Sequence, residues 1–353
     1  MKTSLLLALG ILPGLALAAS PSLGELRADF PVTLALGAAD GPDATSTAIR
    51  VLKTGEKART LRTFQHAPGM VPRGVWDAQR KVLWLLVPDG ESRLGEPARL
   101  WRVGDDGKAD VVREGLRAQQ RPALASDGSV VVFGGGPETE TDATPWRVYR
   151  VSSDGTARMV MEQHASWVMP VGGDALLGAC VLVQDGRNAD VRCMRDGRDT
   201  VDLAFTHELL RDVSVDERHV VLLRSSRGNS VVSRVNHRTR VEENLDTQTL
   251  PLAAPIMRAG MVAWSDPAGV VLWKDGDRWL RASPTGTRQV PVEMSADGSV
   301  LIAREDSVDA RGLADARRPA RFLVQDLLRG KDGELRAGAP VVEIYGVARG
   351  GRR

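Results

Sequence analysis

Short segments with a turn at Asp-Gly recur along this chain, and they constrain its fold more than any other feature. The segments Pro122–Phe133 (PALASDGSVVVF) and Val292–Ala303 (VEMSADGSVLIA) both place Asp-Gly directly before a β-branched run. Weaker copies are centred at Asp77, Gly173, Asp216 and Gly260. The intervals between successive centres are 50, 46, 43, 44 and 37 residues. A period of about 40–50 residues is that of a four-stranded β-propeller blade.

The order of elements inside one repeat also indicates β-structure. After the run that follows the first turn comes a second strand pattern, Trp146–Val151 (WRVYRV), then Asp154-Gly155, then a third pattern at Ala157–Met161. Asp-Gly between two such runs is typical of a tight hairpin, because both central residues must accept positive φ. No 12-residue segment keeps a helical period. We therefore predict an all-β chain.

The two ends of the chain are predicted to share a blade. The first repeat, residues 28–66, shows only three strand patterns: Val32–Gly37, Ala48–Lys53 and Ala58–Phe64. The segment Val341–Val347 follows the last repeat and has strand character, so we expect it to be the missing innermost strand. Closing the ring in this way leaves no open sheet edge between the first and last blades. The count predicts seven blades of four antiparallel strands, with six as the alternative.

The repeat resembles that of a known family. The stretch PALASDGSVVVFGGG, followed by PWRVYRVSSDGTARMV, is similar to the TolB-like, WD40-like (PD40-type) propeller repeat. The match is good around residues 119–163 and 285–340 and weaker elsewhere. This motif is structural, so the resemblance implies a propeller fold and says almost nothing about activity.

The N-terminus reads as an export signal. Lys2 precedes an apolar run, and Ala16-Leu17-Ala18 has small residues at the two positions that a signal peptidase reads, so cleavage is expected after Ala18. No Cys follows the run, and no segment has the ~20 apolar residues of a membrane-spanning helix. We expect a periplasmic or secreted protein with residues 1–18 as signal peptide, 19–27 as N-terminal extension, 28–347 as one propeller domain and 348–353 as a solvated basic tail.

Charge argues against a nucleic-acid partner. The formal net charge is +2, and acidic and basic residues alternate along the chain instead of forming a basic face. A monomer with no transmembrane segment is expected.

Two cysteines flank one hairpin. If Gly186 and Arg187 are the central turn residues, Asp185 pairs with Asn188, and counting outward places Cys180 opposite Cys193 at a non-hydrogen-bonded position. Cα atoms there approach to about 4.5 Å, within reach of a disulfide. We predict a structural disulfide, and two buried thiols are the alternative.

Motifs for known chemistry are missing from the sequence. It contains no Gly-x-Ser-x-Gly, His-Glu-x-x-His, P-loop, EF-hand or dinucleotide-binding pattern. No catalytic residue and no cofactor are predicted, and a non-enzymatic protein is favoured. Three histidines, His66, His164 and His207, follow the last strand of their repeats, where they could converge on the central funnel and hold a divalent metal. The alternative, which we favour, is that the repeat geometry selects a polar side chain at this turn.

Long connections between the second and third strands occur in four repeats. In repeats four, five and six this connection is a tight turn, at residues 185–188, 227–229 and 266–269. In repeats one, two, three and seven it is longer, at residues 39–47, 90–97, 135–145 and 304–319. These four repeats are neighbours in the closed ring. Loops on a rigid scaffold commonly carry binding, although such loops also drift in length without function. Candidate binding residues are Glu138, Glu140 and Asp142 in one loop and Arg311, Arg317 and Arg318 in another.

Three hypotheses of function follow. The first is an exported, non-enzymatic binding or scaffold protein that recognises a protein or peptide in the cell envelope through the loop-rich face. The second is a propeller enzyme, a carbohydrate lyase or hydrolase with a metal or polar site in the funnel. The third, an assembly factor associated with the outer membrane, rests only on the family resemblance.

Overall fold

The chain folds into a ring of seven antiparallel sheets. A computed structural model describes residues 24–41, 43–89, 97–117, 121–135, 144–174, 177–216, 218–249, 252–309, 314–315, 318, 320–336 and 341–350. These residues form six four-stranded sheets and one five-stranded sheet, without a helix. The innermost strands of successive sheets contact one another in a closed cycle. The all-β propeller with seven blades is therefore confirmed, and the six-bladed alternative is wrong.

Strands and blades are numbered in chain order. After β1 (Glu25–Arg27), blade 1 contains β2 (Val32–Ala38), β3 (Ser46–Lys53) and β4 (Arg59–Gln65). Blade 2 contains β5 (Arg73–Asp77), β6 (Val82–Pro88), β7 (Pro97–Gly104) and β8 (Ala109–Arg117). Blade 3 contains β9 (Ala123–Leu124), β10 (Val130–Gly135), β11 (Trp146–Val151) and β12 (Ala157–Gln163).

The second half of the ring follows the same order. Blade 4 contains β13 (Trp167–Asp174), β14 (Gly178–Asp185), β15 (Asn188–Arg195) and β16 (Arg198–Thr206). Blade 5 contains β17 (Leu209–Val215), β18 (His219–Ser226), β19 (Asn229–Asn236) and β20 (Glu242–Gln248). Blade 6 contains β21 (Ala253–Arg258), β22 (Met261–Asp266), β23 (Gly269–Lys274) and β24 (Asp277–Ala282). Blade 7 contains β25 (Thr287–Met294), β26 (Val300–Ser307), β27 (Arg321–Asp326) and β28 (Lys331–Arg336), and β29 (Val341–Arg349) ends the fold.

The last strand returns to blade 1, as predicted. β29 pairs antiparallel with β2, with Gly37 opposite Glu343 and Val32 opposite Arg349, so blade 1 has the order β29-β2-β3-β4. The strand continues to Arg349, into the segment expected to be a solvated tail. Arg349 forms an ion pair with the fully buried Asp326 of blade 7. The C-terminal strand is thus tied to both blades that it joins.

One strand was not predicted. β1 lies in the segment expected to be an extension, and it pairs with β28, Glu25 opposite Arg336, as the fifth and outermost strand of blade 7. Leu26 and Phe30 are buried in the core between blades 7 and 1. The N-terminal segment therefore also bridges the first and last blades.

The repeated Asp-Gly turns have a direct structural cause. In blade 3 the carboxylate of Asp127 accepts hydrogen bonds from the backbone N–H (3.0 Å) and the hydroxyl (2.6 Å) of Ser129. Gly128 between them has φ 83°, a conformation that favours glycine. Asp297 and Ser299 repeat the arrangement in blade 7. The motif that revealed the fold is a hairpin turn closed by its own side chains.

The hydrophobic core is divided into seven layers, one between each pair of adjacent blades. Each layer is a separate cluster of buried side chains from the facing sheets. Trp84 and Trp264 are almost fully buried and fill the layers between blades 2 and 3 and between blades 5 and 6. Stability of the ring therefore depends on contacts between neighbouring blades.

The predicted disulfide is present. Cys180 on β14 lies opposite Cys193 on β15, and the two sulfur atoms are bonded. Asp185 pairs with Asn188 at the end of the same hairpin, as the register required. Both cysteines are fully buried. A disulfide is typical of an oxidising compartment such as the periplasm or the exterior.

Among the described residues, no helix has the length and apolar character needed to cross a membrane.

Candidate binding face and central channel

The two faces of the ring differ in the length of their connections. On one face every connection between strands of a blade has five residues or fewer; we call it the turn face. The other face, the loop face, carries the connections between the second and third strands of each blade. These have two residues in blades 4, 5 and 6 but cover residues 39–45, 89–96, 136–145 and 308–320 in blades 1, 2, 3 and 7. Since blades 7, 1, 2 and 3 are neighbours, the long connections occupy one continuous arc.

Ion pairs lie at the strand ends from which the long connections of blades 2 and 3 leave. In blade 2, Nε of Arg99 lies 2.6 Å from Asp89 and 3.3 Å from Glu114. In blade 3, Arg147 binds Glu162 across β11 and β12 at 3.1 Å. These side chains are all partly or largely exposed, so each pair adds little stability. They lie at the bases of the loops of blades 2 and 3.

Most of the predicted binding residues lie outside the described residues. These are Glu138, Glu140, Asp142, Arg311 and Arg317. Arg318 is described: it is exposed and its Nε lies 3.8 Å from a carboxylate oxygen of Asp315. The acidic and basic character of the two loops stays a prediction.

The three histidines have different surroundings. His66 is buried, and its Nε2 lies 2.8 Å from the hydroxyl of Thr47 while its Nδ1 lies 2.9 Å from the carbonyl of Ala67. With both ring nitrogens engaged, His66 closes the base of the blade 1 loop. His164 and His207 are exposed. In the part of the chain that the structure describes, no three His, Cys, Asp or Glu side chains are grouped so that they could hold a metal ion.

The charged side chain of Arg121 crosses the central channel. The sequence did not single out this residue. Arg121, just before β9 in blade 3, donates to the carbonyl of Gly74 in blade 2 (2.6 Å) and to the carbonyl of Tyr345 in blade 1 (2.8 Å). It also donates to the carboxylate of Glu293 in blade 7 at 2.7 Å. One guanidinium therefore joins four consecutive blades, including the two that close the ring. Arg258 of blade 6 lies 3.9 Å from the other oxygen of Glu293.

Glu343 on β29 adds a second carboxyl to this cluster. Burial raises its pKa and the negative charge of Glu293 acts in the same direction, whereas Arg121 and Arg73 oppose the rise. Three arginines and two glutamates thus share the channel. The contacts of Arg121 brace the innermost strands of blades 7, 1 and 2 against blade 3.

A further carboxyl lies in the innermost strand of blade 5. Burial raises the pKa of Asp212 to about 6, although its carboxylate accepts a hydrogen bond from the backbone N–H of Val213 at 2.8 Å. An acid whose folded pKa lies above its unfolded value near 3.9 binds a proton more tightly in the folded state. Its contribution to stability therefore falls as pH rises from about 4 to about 6, and stays low above that.

Asp212→Asn is expected to relieve this loss. The variant should match the wild type near pH 4 and gain about 3 kcal/mol in free energy of unfolding at pH 7.5, since the pKa rises by about two units and one unit corresponds to about 1.4 kcal/mol. Urea unfolding at a series of pH values measures the difference. Asp199→Asn, at an exposed carboxyl of blade 4, is the matched control and should give no such gain. If the difference in free energy of unfolding between Asp212→Asn and the wild type does not grow between pH 4 and pH 6, the effect assigned to Asp212 is contradicted.

Comparison with known proteins identifies the fold and not the family. No family model matches the chain, and no curated protein matches it. Among solved structures, the β-propeller domain of the Trilobed protease from Pyrococcus furiosus matches with a TM-score of 0.58 and 12% identity, over 89% of this chain and 98% of that one. That propeller is described as having an open velcro topology. Here, in contrast, β29 pairs with β2.

Two other structures are similar. An oligogalacturonate lyase in complex with manganese matches with a TM-score of 0.53 and 11% identity, over 91% of this chain and 97% of that one. TolB from Acinetobacter baumannii matches at 11% identity over 90% of this chain; its TM-score of 0.48 is too low to carry an argument, and the chain spans 66% of its length. At these identities the likeness shows the fold alone. The resemblance inferred from the repeat is thereby confirmed as a propeller fold.

Proposed function

We propose that this protein is an exported binding protein, without catalytic activity, that recognises a protein or peptide partner through the long connections of blades 7, 1, 2 and 3. The observation that carries the proposal is the asymmetry of the ring. Long connections occupy one arc of one face, whereas blades 4, 5 and 6 close with two-residue turns on the same face. Random lengthening of loops has no reason to select four neighbouring blades.

The scaffold beneath the arc suits recognition. The strand ends at the bases of these loops belong to paired strands of the blades, and the buried His66 contacts Thr47 at the base of the blade 1 loop. Loops on a rigid frame lose less conformational entropy on binding than loops on a mobile one. The acidic run of blade 3 and the arginines of blade 7 would favour a partner that presents both signs of charge.

An exported location agrees with the chemistry of the chain. The Cys180–Cys193 disulfide requires an oxidising compartment to persist. The apolar N-terminal run ending at Ala18 has the pattern of a cleavable signal. We place the mature protein in the periplasm or outside the cell, where a partner in the cell envelope would be available.

Shortening the loops tests the proposal. In one variant residues 136–145, and in a second residues 308–320, are replaced by Asn-Gly, which converts blade 3 or blade 7 to the hairpin form of blades 4–6. Photo-cross-linking from the arc, in the bacterium that makes the protein, identifies the partner, and titration with the purified partner gives the affinity. Each replacement is expected to weaken binding at least tenfold.

The matched control replaces Arg227-Gly228, the tight turn of blade 5, by Asn-Gly, and it should bind like the wild type. The loop variants must keep the wild-type melting temperature within a few degrees to be informative. If both loop variants bind the cross-linked partner with unchanged affinity, the arc is not the recognition surface and the proposal fails.

A further inference from the structure

A cavity of about 220 Å³ lies between blades 1 and 2 at the turn face. It is independent of the loop face, because the strand ends and turns that form it are on the opposite side of the ring. Its floor belongs to the apolar layer between these two blades. The floor residues are Ala35, Val51, Leu61, Trp76, Leu83 and Val103.

The mouth of the cavity is strongly basic. Its lining includes four basic residues and a single acidic one, Asp105. The cations come from the ends of four different chain segments in two blades: Lys53, Arg59, Lys81 and Arg349. An apolar floor beneath a cationic mouth is complementary to a small molecule with an apolar body and one anionic end.

Three of the cations are free to turn towards a ligand. The Nζ atom of Lys53 lies 3.7 Å from a carboxylate oxygen of Glu56, and that of Lys81 lies 3.9 Å from one of Asp105. The side chains in both pairs are at least half exposed. Such surface pairs contribute little and exchange readily. Arg59 forms no ion pair with any residue that the structure describes.

The fourth cation is fixed. Arg349 forms its ion pair with the buried Asp326, and its guanidinium lies over the ring of Phe30 at 5.8 Å. Its buried Nε has no hydrogen-bond partner among the described residues. The charge of Arg349 is therefore directed towards blade 7, and the cations that a ligand carboxylate would meet are the mobile Lys53, Arg59 and Lys81.

The backbone at the mouth is also unusual. Lys81 has φ 55°, in the left-handed region. At the same point of blade 6, directly before the second strand, the chain has Gly260 with φ 76°. A lysine in this conformation costs about 1 kcal/mol relative to glycine. The cost is incurred at a position where the side chain lines the cavity.

We propose that this cavity binds a small aromatic carboxylate. An apolar cavity of about 150 Å³ accommodates benzene, so about 220 Å³ has room for a ring and a short arm. The ring would lie on the aliphatic floor beside Trp76. The carboxylate would lie at the mouth between Lys53, Arg59 and Lys81.

Phenylacetate is the probe, and phenylacetamide, of the same shape but uncharged, is its control. Calorimetric titration of the full mature chain measures both affinities, and the shift of the Trp76 indole N–H signal, assigned with Trp76→Phe, locates the site. The acid is expected to bind at least tenfold more tightly than the amide. The proposal is overturned if the amide binds as tightly as the acid, or if neither shifts the Trp76 signal.

Two kinds of variant complete the test. Arg59→Gln/Lys81→Gln removes two exposed cations at the mouth and should weaken the binding of phenylacetate at least tenfold. The control Arg198→Gln/Arg238→Gln removes two exposed cations of blades 4 and 5 and should leave that affinity unchanged. Ala348→Phe, which fills the cavity from β29, should abolish binding of both probes. Unchanged phenylacetate affinity in the first double variant would refute the site even if Ala348→Phe fails to fold.

Discussion

Truncation of the chain after Pro340 is expected to abolish the folded state. The deletion removes β29, the innermost strand of blade 1, and with it the buried side chains of Ile344, Tyr345 and Val347. Each such side chain contributes about 2 kcal/mol through burial. The loss also exposes the edge of β2 and removes the buried hydrogen bond from the Tyr345 hydroxyl to the carbonyl of Pro72 (3.2 Å). The total approaches the whole stability of a typical domain, about 5–15 kcal/mol.

Truncation after Gly350 is the matched control. It keeps β29 and the hydrogen bond from Gly350 N–H to the carbonyl of Pro31, so it should melt like the full chain. Circular dichroism and urea unfolding compare the two truncations. A synthetic peptide of residues 341–350, added to the shorter chain, should restore a cooperative transition because the strand can pair with β2 from outside. A shorter chain that melts cooperatively near the wild-type temperature would show that the ring does not depend on this closure.

The parts of the fold that could be predicted are those encoded by neighbouring residues. The Asp-Gly turns are local, because Asp127 bonds to Ser129 two residues away, and their period gave the blade count. The disulfide was predictable for the same reason: a two-residue turn at Gly186 sets the register that places Cys180 opposite Cys193. Closure by β29 followed from counting, since blade 1 lacked one strand.

The parts that could not be predicted depend on residues distant in the chain. Arg121 meets Glu293, far along the chain in blade 7, only because the ring places blades 3 and 7 across the channel from each other. β1 is three residues long and has no repeat pattern, yet it pairs with β28 near the other end of the chain. The cavity between blades 1 and 2 has no sequence signature, because the residues that line it come from several separate strands of two sheets. The loop residues that carry the proposed function, such as Glu138 and Arg311, stay predictions from composition.

The second large effect is expected at a glycine of blade 4. Gly178 begins β14 with φ 83°, and a Cβ there would lie 2.2 Å from the carbonyl oxygen of Met194 and 2.9 Å from the Cα of Arg195. Both are backbone atoms of β15, the strand that β14 pairs with and to which the Cys180–Cys193 disulfide ties it. Neither strand can move away without breaking this hairpin. Gly178→Ala is therefore expected to lower the free energy of unfolding by about 4 kcal/mol, in the range of severe backbone and packing defects.

Gly197→Ala separates the two causes of that loss. Gly197 lies in the same blade, in the turn between β15 and β16, and its φ of 76° is close to that of Gly178, but no atom lies within 4 Å of its Cβ position. This variant bears only the cost of placing alanine in the left-handed region, about 1 kcal/mol. Urea unfolding of both variants measures the difference, and the excess loss at Gly178 gives the energy of the close approach between β14 and β15. Equal losses in the two variants would show that the backbone of blade 4 yields to the added methyl group, so that conformation alone and not contact fixes glycine at both positions.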